Sequence, residues 1–463
     1  MDSAGYIMKK KIAVIGAGIA GLSVAYFLKG FKDITDLSID IFESSNEPGG
    51  IIRSIQIGNM EFQPTSHYLY NKNPDAFNFL SDLTSGMQCF KNFSFVYYKN
   101  KYYRYPIQNH LYQFNFRDRM KFILSSRLKL EKNSQVNVND FLSSLYGNKF
   151  AKLLIDYNSK RLKFNTEKII ANDEFTQRNN VVNMRHSFFK DNFEYADNFV
   201  IHEFYMPLSS IPEMIKNLVH GILKKNNDNI KINIYYNETV KRITLNSSGH
   251  LSVDSDTIHR NYDYVISTVP LNKIFYLLPF LNEKYLHKGN ELVTIPMLIT
   301  AIALDKNTVF PVNDNLQRIF YFDKDIIFNR ISFSYFCNRH RMENNRLAFV
   351  DTTLDTAFSK KDMTTYIAAY ELQIIEDLRK VNLISGSIYR IKSVFLPNAY
   401  MIFTVNVTNT RKELISVLNK NNIFQLGSFA TWKYQNIDQV IVDAKKLAKK
   451  IHDRGVNDDK KTN

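Results

Sequence analysis

The chain has 463 residues, 44% hydrophobic and 23% charged, with 60 Lys and Arg against 45 Asp and Glu, a formal net charge of +15. These are ordinary globular proportions on enough chain for two or three domains, which excludes wholesale disorder. Two cysteines, Cys89 and Cys337, lie too far apart for a disulfide framework or a Cys-based zinc site, and no apolar run is long enough to span a bilayer.

Glycine is scarce, 16 in all, about half the usual ~7%, yet seven fall in the first fifty residues. The first elements explain why. Ile12 to Ile15 is an apolar run of the length expected for a buried parallel strand. Gly16-Ala-Gly18-Ile-Ala-Gly21 follows and opens an apolar helix through Leu28. In that pattern Gly16 makes the tight turn, Gly18 admits a pyrophosphate and Gly21 lets helix lie on strand, with the anion at the helix N-terminus. A second strand, Ser38 to Phe42, ends at Glu43, 22 residues past Gly21. A ribose-binding acid belongs about 20 residues past that glycine.

Farther along, Phe95 to Tyr98 and Tyr102 to Tyr105 read as a hairpin about Lys99-Asn100-Lys101, and Leu142, Leu145, Tyr146 and Phe150 have helical spacing. Between Lys91 and Lys190 there are 19 Lys and Arg against seven Asp and Glu. A basic stretch like this can serve an anionic substrate, a membrane surface or nucleic acid. Val240 to Ile243 and the alternation after it read as strands. Residues 271–418 hold strand-like runs (Leu292 to Leu304, Leu347 to Val350) and a helix near Tyr366 to Leu378. No internal repeat is present, and the tail from Val456, with Asp458-Asp-Lys-Lys461, reads as a solvated, frayed end.

The segment Glu43-Ser44-Ser-Asn-Glu-Pro-Gly49-Gly50-Ile-Ile-Arg53 resembles the extended fingerprint of FAD proteins related to the amine oxidases. There a glycine pair runs close to the cofactor and an Arg faces its phosphates. Within that superfamily, Phe62 to His67, Tyr105-Pro-Ile-Gln108, Asp156-Tyr157-Asn158-Ser-Lys160, Tyr262 to Pro270, Phe328-Asn-Arg330-Ile-Ser332 and Ala430-Thr-Trp-Lys-Tyr434-Gln-Asn436-Ile437-Asp438 are similar, in this order, to segments of UDP-galactopyranose mutases and mutase-like proteins. The resemblance covers nearly the whole chain. It implies an α/β fold: a discontinuous Rossmann-like FAD-binding domain (8–81, 195–270, 419–455) with a mostly helical insertion (82–194) and an antiparallel-sheet substrate domain (271–418), then the tail 456–463. It implies FAD held by Gly16, Gly18, Gly21, Glu43, Ser44, Gly49, Gly50, Arg53, Val240, Gly427, Ser428, Ile437 and Asp438. His67 would lie beside the flavin, and Arg185, Arg330 and Tyr434 would hold a diphosphate, which a bidentate guanidinium fits.

In such mutases reduced FAD acts as a nucleophile toward a nucleotide-linked sugar, without net redox change, in surface-polysaccharide biosynthesis. Several positions depart from the family: Ser428 replaces an Arg, Thr65 and Ser209-Ser210 replace glycines, Leu162 a Trp and Asn436 an Asp. An oxidoreductase of the amine oxidase, protoporphyrinogen oxidase or desaturase type, and a catalytically degenerate FAD-binding scaffold, are the alternatives. Without the resemblance, Arg330 reads equally as a surface or interdomain salt bridge, Tyr434 as a core-edge residue and His67 as a structural His. The expected partner is a nucleotide-sugar or other anionic small molecule. Nucleic acid fits worst, because the basic residues form no recognisable binding motif. Peripheral membrane contact and a homo-oligomer stay open. The N-terminus lacks a signal peptide's charged-then-apolar order, so the expected location is cytoplasmic.

Overall fold

The structure, a computed structural model, describes residues 9–31, 36–53, 55–57, 60–62, 68–91, 93–126, 137–171, 203–224, 229–305, 316–333, 345–358, 360–383 and 388–462. Four separate stretches of chain supply a five-stranded parallel sheet. Lys9–Ile15 lies at its centre between Asp36–Phe42 and Tyr264–Ser267, with Ile230–Tyr235 and Ile423–Gln425 at the edges. Ile15 sits in register with both Phe42 and Ser267, so the carboxyl ends of the three central strands line up.

Both faces of this sheet are covered, which is why the central strand reads as an unbroken apolar run from Ile12 to Ile15, while Asp36–Phe42 and the edge strand Ile230–Tyr235 alternate apolar and polar residues. On one face Ile12, Val14, Ile39, Ile41 and Ile266 pack against helix α1 (Ile19–Lys29) and the C-terminal helix Ile437–Thr462. Leu22, Val24 and Leu28 of α1 are fully buried, and each contributes about 1.5–3 kcal/mol by leaving water. On the other face Ala13, Ile15 and Val265 meet the antiparallel strands Arg242–Leu245 and Leu251–Asp254 and the helix Val407–Lys420.

Helix α2 (Pro74–Asp82) flanks the C-terminal helix. Helices α3 (Phe116–Ser125) and α4 (Val138–Leu162) pack on each other. Asn137 caps α4 by accepting the Asp140 N–H at 2.9 Å. Leu142, Tyr146 and Phe150, the helical spacing seen in the sequence, are fully buried. Gly147 breaks α4 at φ 72°, where a Cβ would collide with the Ser125 backbone of α3.

The second large sheet has seven strands in the order Ile388–Met401, Thr294–Asp305, Asn345–Thr353, Arg330–Phe333, Arg318–Tyr321, Ser94–Tyr98 and Lys101–Arg104. Two expectations change here. The hairpin assigned to the helical insertion belongs to this sheet, and Ser94–Tyr98 pairs parallel to Arg318–Tyr321, so the sheet is mixed rather than antiparallel. An isolated hairpin is marginal in water; docking buries Val96 and Tyr97. The tail expected to fray from Val456 instead continues the C-terminal helix to Thr462, since after Gly455 no Gly or Pro interrupts it. Among the described residues no helix is long and apolar enough to cross a membrane.

Candidate functional site

The glycines of the first segments meet at the carboxyl edge of the parallel sheet. Gly16 has φ 103°, and a Cβ there would strike the Thr268 hydroxyl, which donates to Ile15 O at 2.7 Å. At Gly21 a Cβ would run into Gly16 O and lie 3.1 Å from Val14 Cγ1, so any side chain would push α1 off its strand. Gly18 bridges to Gly49, whose N–H donates to Ala17 O at 2.9 Å, and a Cβ on Gly50 would lie 3.4 Å from Gly18 Cα. Gly18 caps α1 without a side chain, and no acidic residue occupies the first turn. The orphan amides and positive end of the helix therefore remain for an anion.

Glu43 stands beside this turn, 7% exposed. Its Oε2 accepts the Ala17 N–H at 2.8 Å, and Oε1 accepts Ser45 N–H at 2.9 Å, Ser45 Oγ at 2.6 Å and Ser44 Oγ at 3.4 Å. A carboxylate oxygen has two lone pairs, so Oε2 keeps one for a ribose hydroxyl. Arg53 follows the turn Gly50–Ile52, and among the described residues no carboxylate pairs with it. Val240 is buried, and nothing among the described residues bonds its N–H or C=O. The amides on either side are taken, Thr239 by Asp256 at 2.7 Å and Lys241 by Asp254 O at 2.8 Å.

The last parallel strand brings the C-terminal motif to the same edge. Leu426 N–H donates to Ser267 O at 3.0 Å, and a Cβ on Gly427 would touch Ala20 of α1 at 3.2 Å. Ser428 Oγ donates to Gln435 O at 3.4 Å. Ile437 and Asp438 begin the C-terminal helix, and both are buried. Asp438 Oδ1 and both amide atoms of Gln425 are buried with no described partner, and burial pushes the Asp438 carboxyl pKa up. Buried orphans of this kind need a partner, and a bound dinucleotide can supply it.

A second polar cluster forms on one face of the mixed sheet. Strand register places Phe320 beside Arg330, Arg330 beside Asp351, and Arg318 beside Ser332. Arg330 Nε donates to Asp351 Oδ2 at 2.7 Å, and Nη2 contacts the same oxygen. Burial is the largest single influence and opposes the guanidinium's charge, but Asp351 and the nearby Tyr400 and Tyr157 hydroxyls together outweigh it and the pKa is raised. Asp351 engages two of the five guanidinium N–H groups and leaves three for other acceptors.

Tyr157 of α4 stacks on Phe322 at 4.1 Å, and burial raises its hydroxyl pKa. Tyr105 stacks on Phe320 at 4.5 Å. Arg161, one turn beyond Tyr157, lies over the Tyr400 ring at 5.3 Å, and its buried Nε has no described acceptor. Arg318 lies over the Tyr68 ring at 4.1 Å, which ties the sheet to the residue next to His67. Lys160 is turned away from the cluster. Its Nζ donates to Tyr321 O at 2.9 Å and Asp323 O at 2.8 Å, and burial lowers its pKa to about 7.

The structure thus gathers the glycines, Glu43, Ser44, Arg53, Gly427, Ser428, Ile437 and Asp438 around the parallel sheet, and sets Arg330 on the other one. His67 and Arg185 lie outside the described residues. Tyr434 is 40% exposed, which removes its reading as a core-edge residue. Arg330 does form a salt bridge, but with a buried Asp on the neighbouring strand of the same sheet rather than at the surface or between domains. Sequence reasoning missed Arg161, although its spacing of four from Tyr157 places both on one helix face.

An NAD(P)-binding Rossmann-like domain model matches residues 14–83. Coproporphyrinogen III oxidase of Staphylococcus aureus is 55% identical over 47 residues, 10% of this chain and 10% of that protein. Protoporphyrinogen oxidase 2 of Arabidopsis thaliana is 26% identical over 133 residues, 29% of this chain and 24% of that protein. The chain therefore matches only a quarter or less of these curated relatives' length. A crystal structure of reduced UDP-galactopyranose mutase superposes with a TM-score of 0.81 over 98% of each chain at 17% identity, a likeness of fold. These matches agree with the expected fold class and with FAD as the cofactor of the dinucleotide site.

Proposed function

We propose that this member of the FAD-binding amine oxidase and protoporphyrinogen oxidase superfamily acts on a nucleotide-linked sugar in surface-polysaccharide biosynthesis, in the cytoplasm. The supporting observation is the pair of guanidiniums, Arg330 and Arg161, set among the Tyr157, Tyr400 and Tyr105 rings. Two fixed cations beside apolar rings suit a diphosphate that carries a flat base and a sugar. Asp351 holds Arg330 in one orientation, so its remaining donors meet the ligand without first being ordered. Arg161, with no described carboxylate partner, contributes charge that the fold does not neutralise.

At the other sheet, the α1 N-terminus, Arg53 and Glu43 would hold the pyrophosphate and ribose of FAD. The Val240 backbone would meet its adenine, and the Gly427–Asp438 stretch its flavin end. Bound there and reduced, the flavin supplies a nucleophile without net redox change. The chain's own part is to bind the diphosphate as leaving group, stabilise its charge and keep it close for return.

The test is titration of UDP-sugars against the flavin-loaded, reduced protein. Arg330→Ala and Arg161→Ala should each weaken binding roughly 10- to 100-fold, the value of a charge-assisted hydrogen bond, with flavin content unchanged. Arg161→Ala is the cleaner variant because it orphans no described carboxylate. Loss of flavin, or unaltered binding, overturns the diphosphate role. The second reading, an oxidoreductase of the same superfamily, is favoured by the oxidases among the curated relatives. It requires flavin reduction on adding substrate, whereas the first requires prereduced flavin and no net redox change.

A further inference from the structure

Helix α3 carries its residues the wrong way round for a surface helix. Phe122 points inward, edge-on to Phe114 at 5.3 Å and to Phe150 at 5.1 Å. The outward side presents Phe116, 61% exposed, Met120, 36%, and Leu124, 54%. At about 100° per residue these three, spaced by four, form one continuous stripe. Arg117 and Lys121, both exposed, follow Phe116 and Met120 by one residue and edge that stripe with positive charge, Lys121 lying 3.7 Å from Asp118. No residue of α3 is fully buried. Three large exposed apolar side chains in one line mark an interaction surface rather than scattered exposure.

We infer that α3 docks this protein on an anionic lipid bilayer, with Phe116, Met120 and Leu124 entering the interface and Arg117 and Lys121 meeting the headgroups. An apolar stripe beside a cationic edge is the pattern of an interfacial helix, and the excess of 12 positive charges between Lys91 and Lys190 adds attraction at longer range. Two other occupants fit less well. A two-fold contact with a second copy would oppose each basic edge to itself or its neighbour. A ten-residue helix, about 15 Å long, also falls short of the ~800 Å² per partner of a stable protein interface. Shallow insertion needs no such area.

The experiment is co-sedimentation of the full, flavin-loaded chain with vesicles of equal parts phosphatidylglycerol and phosphatidylcholine, and with phosphatidylcholine alone, at low and high salt. The expected result is binding to the anionic vesicles that falls with salt and is absent on phosphatidylcholine. The triple variant Phe116→Ser, Met120→Ser, Leu124→Ser should lose about tenfold or more in partition. Arg117→Glu with Lys121→Glu, which touches no apolar contact, should lose roughly fivefold or more per charge and checks the inference even if the triple variant misfolds. Failure of the parent to bind, equal binding to phosphatidylcholine alone, or parent-like binding by the charge-reversed variant overturns it. A dimer that dissociates in the triple variant, without lipid binding by the parent, assigns the stripe to a second copy and also overturns it.

Discussion

The two sheets specify their sites in opposite ways. At the parallel sheet the cradle comes from positions where a side chain cannot fit, Gly21 against Gly16 O and Gly16 against Thr268, or is disfavoured by a positive φ, as at Gly49 and Gly50. Much of it is encoded within the first fifty residues. The cluster on the mixed sheet draws Tyr157 and Arg161 from α4, Arg330 and Asp351 from neighbouring strands, and Tyr400 from a strand at the far edge. It exists only because strand register and the seat of α4 put them together. Steric exclusion calls for glycine and so leaves a composition signal; convergence of charge between separate elements leaves almost none.

The largest effect should come from the cradle. Gly21→Val is expected to abolish flavin retention, because the branched side chain displaces α1 from its strand, and the yellow absorbance of the purified protein reads this directly. A variant that kept its flavin would break the claim that this site is set by local sterics. On the other sheet, Asp351→Ala leaves the largely buried Arg330 cation without its carboxylate. Breaking such a pair costs about 3–5 kcal/mol, measurable by urea unfolding, while the folded fraction should keep its flavin. If flavin falls in proportion to the lost carboxylate, the two sites are coupled and the contrast fails.

A further effect, spread over a range of pH, concerns how α4 is seated. The Lys160 pKa in the fold, about 7, lies below the ordinary lysine value. The unfolded chain then holds more protons between about pH 7 and about pH 10, so this group makes stability rise with pH across that window. Lys160→Met should remove that slope from the urea midpoints. An unchanged slope would mean that the amine is not buried as the structure has it.

The glycine spacing, Glu43 at the end of the second strand, and the order of the later motifs made the dinucleotide fold and its cofactor legible. The hairpin was legible as a hairpin, but its place in the mixed sheet was not, because nothing in Ser94–Tyr98 names Arg318–Tyr321 as its parallel neighbour. Arg330 stood out in its motif, yet Asp351 did not, since a lone Asp in a strand has no local signature. Arg161 went unnoticed beside Lys160, and only the turn of α4 separates them, one toward the Tyr400 ring and the other toward the carbonyls of Tyr321 and Asp323. The positive excess between Lys91 and Lys190 was plain in the composition, but the apolar stripe along α3 was not. Helical spacing shows which residues share a face; only packing shows which face is inside.

By itself, then, the sequence determined the parallel-sheet cradle, its glycines and its acid, because short-range sterics and backbone geometry act between residues close in the chain. The tertiary structure alone decided which charges meet, which lysine is buried and which face of α3 looks outward. Those outcomes depend on contacts between separate elements, 21 residues apart for Arg330 and Asp351 and 163 for Lys160 and Asp323, and such contacts are set by the packing of the whole core.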